Sequence, residues 1–455
     1  MKIDKFQATG IHGYLEFDVP FNVDLTYLTG ANGSGKTTVV QSIISLISPN
    51  FLYLANTEFS EMSVTLEHDG EEMTVSALSK EGRISIYMSG VDDVLEIKRF
   101  DAASVENYPP HRQFEAEIDF YHDQESAAVS NSVFQKIQKL PTPMFLGLER
   151  RTERDEPRVP PRQPPKLYRR RNVFGGTLQR SLIEASRLAA RQYQAIKRKE
   201  GKVADKLRQD IILTNFEFVE VFPETAAGEV PSCEEREFIQ KKRSDVKATL
   251  ISLGLPEKEI DDYVDNYFDK LENILNKLPK SNEADFVSAN SEAENDESSS
   301  AIFNWITNKW QFHKLTRIVN YIEEYNKRIG ELNYPLTLYQ ETVNQFLSES
   351  NKTVKFDGFG DLEVQIGDLE PRPITSLSSG EQQLVVILTH IAFNPDAQAA
   401  NVLIIDEPEL SLHVAWQEYF VEALQGLNPN LQYILATHSP SIVLDDVDHC
   451  FDLIE

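Results

Sequence analysis

Residues 30–38 read GANGSGKTT, preceded by the apolar run Leu25-Thr26-Tyr27-Leu28 and followed by Val39, Ile43, Ile44 and Ile47 at helical spacing up to Pro49. A strand that feeds a glycine-rich turn, which then opens a helix, is the context in which GxxxxGK(S/T) binds phosphate. Gly30, Gly33 and Gly35 let successive backbone N–H groups wrap one anion, and the helix N-terminus adds its positive dipole end. Ala31, Asn32, Ser34 and Thr38 complete the expected nucleotide-binding set. Lys36 is expected on the β- and γ-phosphates and the Thr37 hydroxyl on Mg²⁺, so ATP and Mg²⁺ are the implied ligands.

Three further stretches stand out beside this loop. Val402-Leu403-Ile404-Ile405 is an apolar run typical of a strand buried on both faces, and it ends in Asp406-Glu407. Two adjacent carboxylates there need a cation to face. Asp406 is the expected Mg²⁺ partner and Glu407 the general base for the attacking water; Glu409 is a rival base, disfavoured because Pro408 turns the chain after Glu407. Leu377-Ser378-Ser379-Gly380-Glu381 precedes the helix-forming run QQLVVILTHIAF, and taken alone it reads equally as an N-cap by Ser378 or Ser379. Ala436-Thr437-His438-Ser439-Pro440 follows the strand-like YIL.

About 340 residues separate Lys36 from Ser378, yet Lys36 and Asp406 have to meet at one ATP. The nucleotide fold is therefore expected in two pieces around an insertion. Residues 1–180 read as an N-terminal lobe: alternating strands before the loop, an antiparallel wing over 57–98, a buried strand in 141–151 and a Pro- and Arg-rich basic loop over 150–171. Residues 181–350 read as helical, with a seam of Leu315, Ile318, Ile322, Tyr325 and Ile329 suited to a short coiled coil that Pro335 limits. Within it, 281–300 (SNEADFVSANSEAENDESSS) has the composition of a disordered acidic loop. Residues 351–455 form the C-terminal lobe.

The 455 residues carry a net charge of −27 with 41% hydrophobic residues. Bulk charge repels nucleic acid and favours a protein partner, although a local basic patch acts within roughly 8 Å regardless of the total. Cys233 and Cys450 supply neither a disulfide framework nor metal spacing, which suits a reducing cytoplasm. No signal peptide or membrane span is expected, the longest apolar runs being far too short. His12, His68, His111, His122, His313 and His390 show no metal-like or triad spacing.

LSSGE followed by its helix resembles the signature motif of ABC-type ATPases, usually LSGGQ. The resemblance implies an α/β P-loop ATPase head with an antiparallel β wing, split by a helical insertion. It further implies that Ser378, Ser379, Gly380 and Glu381 meet the γ-phosphate held by a second copy, so that at least two copies assemble head to tail, and that His438 is the switch histidine. Ser379 and Glu381 stand where the classical motif has Gly and Gln, and His413 stands at the D-loop aspartate. These departures, with EPELSLH and THSP, resemble the RecF-like and OLD-like branch, relatives of the SMC proteins. The Q-loop position is expected near Glu149 or Arg150. OLD-family proteins usually carry a Toprim nuclease domain after the ATPase, whereas 17 residues follow His438 here, by subtraction from Glu455. The layout is similar to the ATPase subunits of anti-phage systems, first the AriA family of PARIS, whose partner AriB is a Toprim-type nuclease, and next the PtuA family of Septu and retron systems. That resemblance implies a sensor or scaffold controlling a separate effector, set off by an acidic phage trigger protein. The alternative is a DNA-repair or DNA-structure ATPase of RecF or SMC type.

Overall fold

Strand β1 (Lys2–Ile11) alternates buried and exposed positions, placing Ile3, Phe6, Ala8 and Ile11 on one face. In the computed structural model, residues 1–101, 103, 108–147, 178–216, 233–252, 256–278 and 292–453 are described. They divide into two units: Met1–Gln194 with Pro335–Glu455, and Ala195–Tyr334.

The first unit is built on two main sheets. An antiparallel sheet has the order β2-β1-β4-β5-β6-β7, where β2 is Leu15–Pro20, β4 Glu61–His68, β5 Glu71–Lys80, β6 Arg83–Met88 and β7 Leu95–Lys98. It contains the wing expected over 57–98, extended by the two N-terminal strands. A parallel sheet has the order β14-β3-β13-β12-β8, where β3 is Leu25–Thr29, β8 Met144–Gly147, β12 Val402–Asp406, β13 Gln432–Ala436 and β14 Cys450–Asp452. Every residue of β12 and β13 is buried, as central strands covered on both faces require.

Helix α1 (Lys36–Ile47) packs on both sheets through Val39, Val40, Ile43 and Leu46, all fully buried. Each such aliphatic side chain contributes roughly 1.5–3 kcal/mol by leaving water. Helix α2 (Phe51–Asn56) and two helices that the sequence pattern did not disclose, α3 (Pro110–Ala128) and α4 (Ser132–Lys139), close the antiparallel face, with Phe51 edge-on to Phe134.

Two long helices leave and re-enter this unit: α5 (Leu178–Phe216) and, after α6 (Cys233–Ser252) and α7 (Glu257–Asn276), α8 (Glu292–Leu347). The first turns of α5 and the last turns of α8 belong to the ATPase unit, so the insertion is shorter at both ends than the expected 181–350. Leu182, Ala185 and Ala189 are buried at one end, and Tyr339, Val343, Phe346 and Leu347 at the other.

Helix α8 corrects two expectations. It runs through Pro335, which was expected to limit it. Proline forfeits one backbone hydrogen bond and costs about 3 kcal/mol inside a helix, and the buried side chains after it outweigh that. The helix also begins at Glu292, so the second half of the acidic stretch 281–300 is helical rather than loop; residues 281–291 lie outside the described set. In the insertion, Trp305, Phe312 and Val319 recur every seven residues and pack with Ile239, Val246, Val264 and Phe268 of α6 and α7. Of the expected seam only Ile322 is fully buried, because the buried line falls one helical step away. Arg243 bridges Asp265 and Asp269 at 2.6 and 2.8 Å, tying α6 to α7.

The chain re-enters through β9 (Lys352–Phe356), β10 (Leu362–Ile366) and β11 (Arg372–Pro373), a small antiparallel sheet. Helices α9 (Ser379–Phe393), α10 (Pro395–Ala400), α11 (Val414–Leu427) and α12 (Pro440–Val443) complete the unit. Among the described residues no helix is long and apolar enough to cross a membrane.

Candidate functional site at the carboxyl edge of the parallel sheet

Parallel pairing aligns Leu28, Ala436, Asp406 and Gly147 in one row across β3, β13, β12 and β8. The loops that leave these strands all emerge at their carboxyl ends, where open α/β sheets bind ligands. The ends of four strands from widely separated parts of the sequence thereby lie along one edge.

The phosphate loop needs its glycines individually. Gly30, Gly33 and Gly35 have φ of 140°, 87° and 95°. A Cβ on Gly35 would lie 2.6 Å from Phe17 Cζ, so the β1–β2 hairpin leaves room there for nothing larger. Lys36 is 6% exposed, and its ammonium donates to the carbonyls of Gly30 (2.7 Å) and Ala31 (3.2 Å), which holds it across the loop. Ala31 and Asn32 are exposed, and Thr37 and Thr38 occupy the first turn of α1.

Asp406 ends β12 with 8% exposure, and the Thr37 side chain near it favours its charged form. Its Oδ1 is buried with no hydrogen-bond partner, as is Ser34 Oγ. Burial, aided by the charges of Glu407 and Glu409 and opposed by Thr37 and Lys36, pushes the carboxyl up to about 6. A hydroxyl and an under-satisfied carboxylate beside a phosphate loop are the hard oxygen set that suits Mg²⁺.

Glu407 adopts a left-handed backbone (φ 50°, ψ 54°) and donates its N–H to the Ala436 carbonyl at 2.8 Å. For a residue with a side chain this conformation costs roughly 1–2 kcal/mol. It turns Glu407 out of the strand at its carboxyl edge.

Glu409, the rival base, is fully engaged. It accepts from Thr437 Oγ1 (2.7 Å) and from the His438 N–H (2.9 Å), and it pairs with His438 Nδ1 at 2.9 Å. Its side chain is 7% exposed while that of His438 is 41% exposed. Glu409 thus orients His438 and leaves the neighbouring Glu407 as the carboxylate without such a commitment. Gln417 secures the same segment, accepting from Ser439 Oγ at 2.6 Å and donating to the Leu412 carbonyl at 3.2 Å. The reading of the sequence missed Gln417 and singled out Glu409 only as a rival base, on its place two residues after Glu407, across Pro408. His413 caps α11, with its Nδ1 accepting from Ala415 N at 3.4 Å.

Ser378 caps α9 in a capping box with Glu381. Ser378 and Ser379 are exposed and Gly380 is partly so. Glu381 departs from the expected nucleotide-binding set: it is 5% exposed, accepts from Ser378 N at 2.7 Å and pairs with Lys352 Nζ at 2.8 and 2.9 Å. Burial alone would raise its carboxyl; the bonds from Lys352 and Ser378 outweigh it and hold the group below its usual value. Its side chain supports the motif from inside. Glu149, Arg150 and the basic loop 150–171 lie outside the described residues.

This edge, with its glycine loop, buried lysine and paired carboxylates, defines a P-loop ATPase head. Residues 1–443 match the family described as AAA ATPase domain (AAA_15), and the chain belongs to it. Over 135 residues it is 30% identical to the retron Vc95 probable ATPase of Vibrio cholerae serotype O1 biovar El Tor, covering 25% of this chain and 26% of that protein. Over 133 residues it is 26% identical to the retron Ec83 probable ATPase of Escherichia coli, covering 24% of each. The matched stretch thus spans about a quarter of the length of these curated relatives. The SMC head domain of Thermotoga maritima aligns with 97% of this chain and 91% of its own at 11% identity and a TM-score of 0.36, too low to add to the fold described above.

Proposed function

We propose that this chain hydrolyses ATP at composite sites between copies of itself and that turnover governs a separate effector in anti-phage defence. The observation that carries the ATPase reading is Asp406 Oδ1, a buried oxygen left without a partner beside Thr37 and the phosphate loop. An anionic group is tolerated there because a cation completes it.

In this reading the loop N–H groups and Lys36 hold the phosphates, while Thr37 and Asp406 hold Mg²⁺. The metal, when bound, neutralises charge on the transferring phosphoryl group. Glu407 accepts the proton of the attacking water, and its turn out of β12 places it at the carboxyl edge for that role. His438, oriented by Glu409, presents its ring toward the γ-phosphate. Ser378, exposed, and Gly380, partly so, at the start of α9 complete the site of a second copy. A Glu407→Gln variant should therefore bind ATP, stop turning over and accumulate as an ATP-dependent oligomer. Phosphate release at the wild-type rate by that variant would remove Glu407 from the role.

The retron ATPases among the relatives support the defence context. Within it, the motif dialect favours an AriA-like subunit of a PARIS-type system, whose effector would be a Toprim-type nuclease of the AriB kind. Affinity purification of the full chain from its native operon, with mass spectrometry of the co-purifying proteins, tests this. A Toprim partner supports the PARIS reading, an HNH partner moves the assignment to Septu, and ATPase stimulation by duplex DNA with no protein partner turns it toward DNA repair. Charge reversal at Arg169–Arg171 should abolish triggering and spare ATPase activity if the basic loop receives an acidic trigger.

A further inference from the structure

Lys352 stands two residues beyond the 3-10 turn Ser348–Ser350 that ends the long helix α8. Its place is fixed from several directions. Asn351 takes the left-handed conformation (φ 51°) and donates its N–H to the Ser348 carbonyl, and Lys352 pairs with Ile366 on β10. Two residues on, Val354 N donates to Asn344 Oδ1 at 2.6 Å, and its carbonyl accepts from Asn344 Nδ2 at 3.2 Å. Asn344 lies on the tail of α8, so the strand that carries Lys352 is stitched to that tail. The same tail is bound to α9 farther along, where Tyr339 Oη lies 2.7 Å from Thr389 Oγ1 and the Tyr339 ring 4.8 Å from that of Phe393.

A capping box needs one carboxylate oxygen, and on an exposed helix water serves the other. Glu381 is buried, so its second oxygen and its charge both require a protein partner, which Lys352 supplies with bonds to each oxygen. Without that ammonium the carboxylate must take a proton or turn toward water. Either outcome loosens the Ser378 N–H and with it the first turn of α9.

We propose that Lys352 is a positioning residue for ATP turnover: through Glu381 it fixes the Ser378–Gly380 edge that meets the nucleotide of a second copy. The inference rests on the reading that Ser378 works on a neighbour's ATP. It gives the acidic residue in this motif a reason, since a carboxylate can be held by a lysine at the start of β9 where a glutamine amide has no such need.

The test uses the full chain with Lys352→Met, Lys352→Arg and the double variant Lys352→Met/Glu381→Gln. Steady-state turnover, the affinity for a fluorescent ATP analogue, Tm and, in a Glu407→Gln background, ATP-driven association by light scattering are measured for each. Lys352→Met should lower kcat about tenfold and weaken association by a similar factor, while the analogue still binds within about twofold of wild type. Lys352→Arg should recover most of the loss. So should the double variant, because a neutral amide keeps the acceptor for Ser378 N–H and needs no counter-charge. Wild-type turnover in Lys352→Met, or a loss that neither Arg nor the added Gln relieves, overturns the proposal. Should Ser378→Ala be silent and Glu407→Gln fail to associate with ATP, the composite-site reading itself fails. With both intact, a silent Lys352→Met removes the role of Lys352 alone.

Discussion

Replacing Asp406 by Asn should make the metal-free protein more stable while ending its catalysis. The carboxyl of Asp406 moves from 3.8 to about 6, burial being the largest cause. An acid whose folded-state value is raised binds its proton more tightly in the folded protein. Stability is therefore greatest below the unfolded value of 3.8 and declines as pH rises toward about 6, above which the charge is buried at full cost. A shift of about two units corresponds to roughly 3 kcal/mol. Asn keeps an oxygen on the side of Thr37 but brings an amide N–H₂ to the place of the partnerless Oδ1, which returns about 1–2 kcal/mol of that gain. The net expectation at neutral pH is a stabilisation of about 1–2 kcal/mol, an increase of roughly 2–4 °C in Tm. Thermal unfolding followed by circular dichroism in EDTA, at pH 7.5 and again at pH 5, measures it. The advantage of Asp406→Asn should shrink at pH 5, where the wild type takes up its proton, and should reverse at pH 7.5 when Mg²⁺ and ATP are added. An Asp406→Asn protein that is less stable than wild type at pH 7.5 without metal would refute the argument that this carboxylate is held for a cation.

Four other substitutions separate further parts of the site. Glu409→Ala removes the acceptor shared by Thr437 and His438; turnover should fall about tenfold to a hundredfold with little change in ATP affinity, read as kcat against KM. Gly35→Ala meets Phe17 at 2.6 Å and a φ of 95°, whereas Gly33→Ala meets a φ of 87° and no atom within 4 Å. The first should lower Tm by the equivalent of about 2 kcal/mol or more and the second by about 1 kcal/mol, and equal losses would show that the Phe17 contact is slack. Lys36→Ala should abolish binding of a fluorescent ATP analogue and leave Tm within about 2 °C, since the lysine is bonded to loop carbonyls and not to the core.

The ATPase edge was legible in the sequence because its parts are local. The glycines of residues 30–35, the apolar run into Asp406 and the strand before Thr437 each carry their own pattern, and parallel pairing only has to set them side by side. The antiparallel wing was legible for the same reason, its strands alternating between short turns. What failed depended on distant partners. Pro335 reads as a helix limit until the buried residues after it are known to dock on the ATPase unit. Glu292–Ser300 reads as loop because its composition is polar, yet it lies directly ahead of Ala301 and Trp305, which the insertion core buries. Helices α3 and α4 went unnoticed, α3 having a polar average that hides the few positions, such as Tyr121, that are buried. At the site, Glu381 resembled a nucleotide contact because motif position is silent about which way a side chain turns; its partner Lys352 lies 29 residues away.

The end of β12 gathers features that each oppose folding. Asp406 keeps a buried charge with one oxygen unpaired, and the next residue, Glu407, takes a left-handed conformation that a glycine would adopt without strain. Together they cost on the order of 4–5 kcal/mol, comparable to a large part of the net stability of a typical domain. A central strand is where such a cost can be borne, since β12 is paired with β13 on one side and β8 on the other and every one of its residues is buried. A merely structural strand end could replace Asp406-Glu407 by a neutral residue and glycine and gain stability. That the chain instead keeps both carboxylates at this edge, Asp406 beside Thr37 and Lys36, and anchors the neighbouring Glu409 to His438, fits a site organised for what happens to a bound phosphate rather than for the strand that carries it.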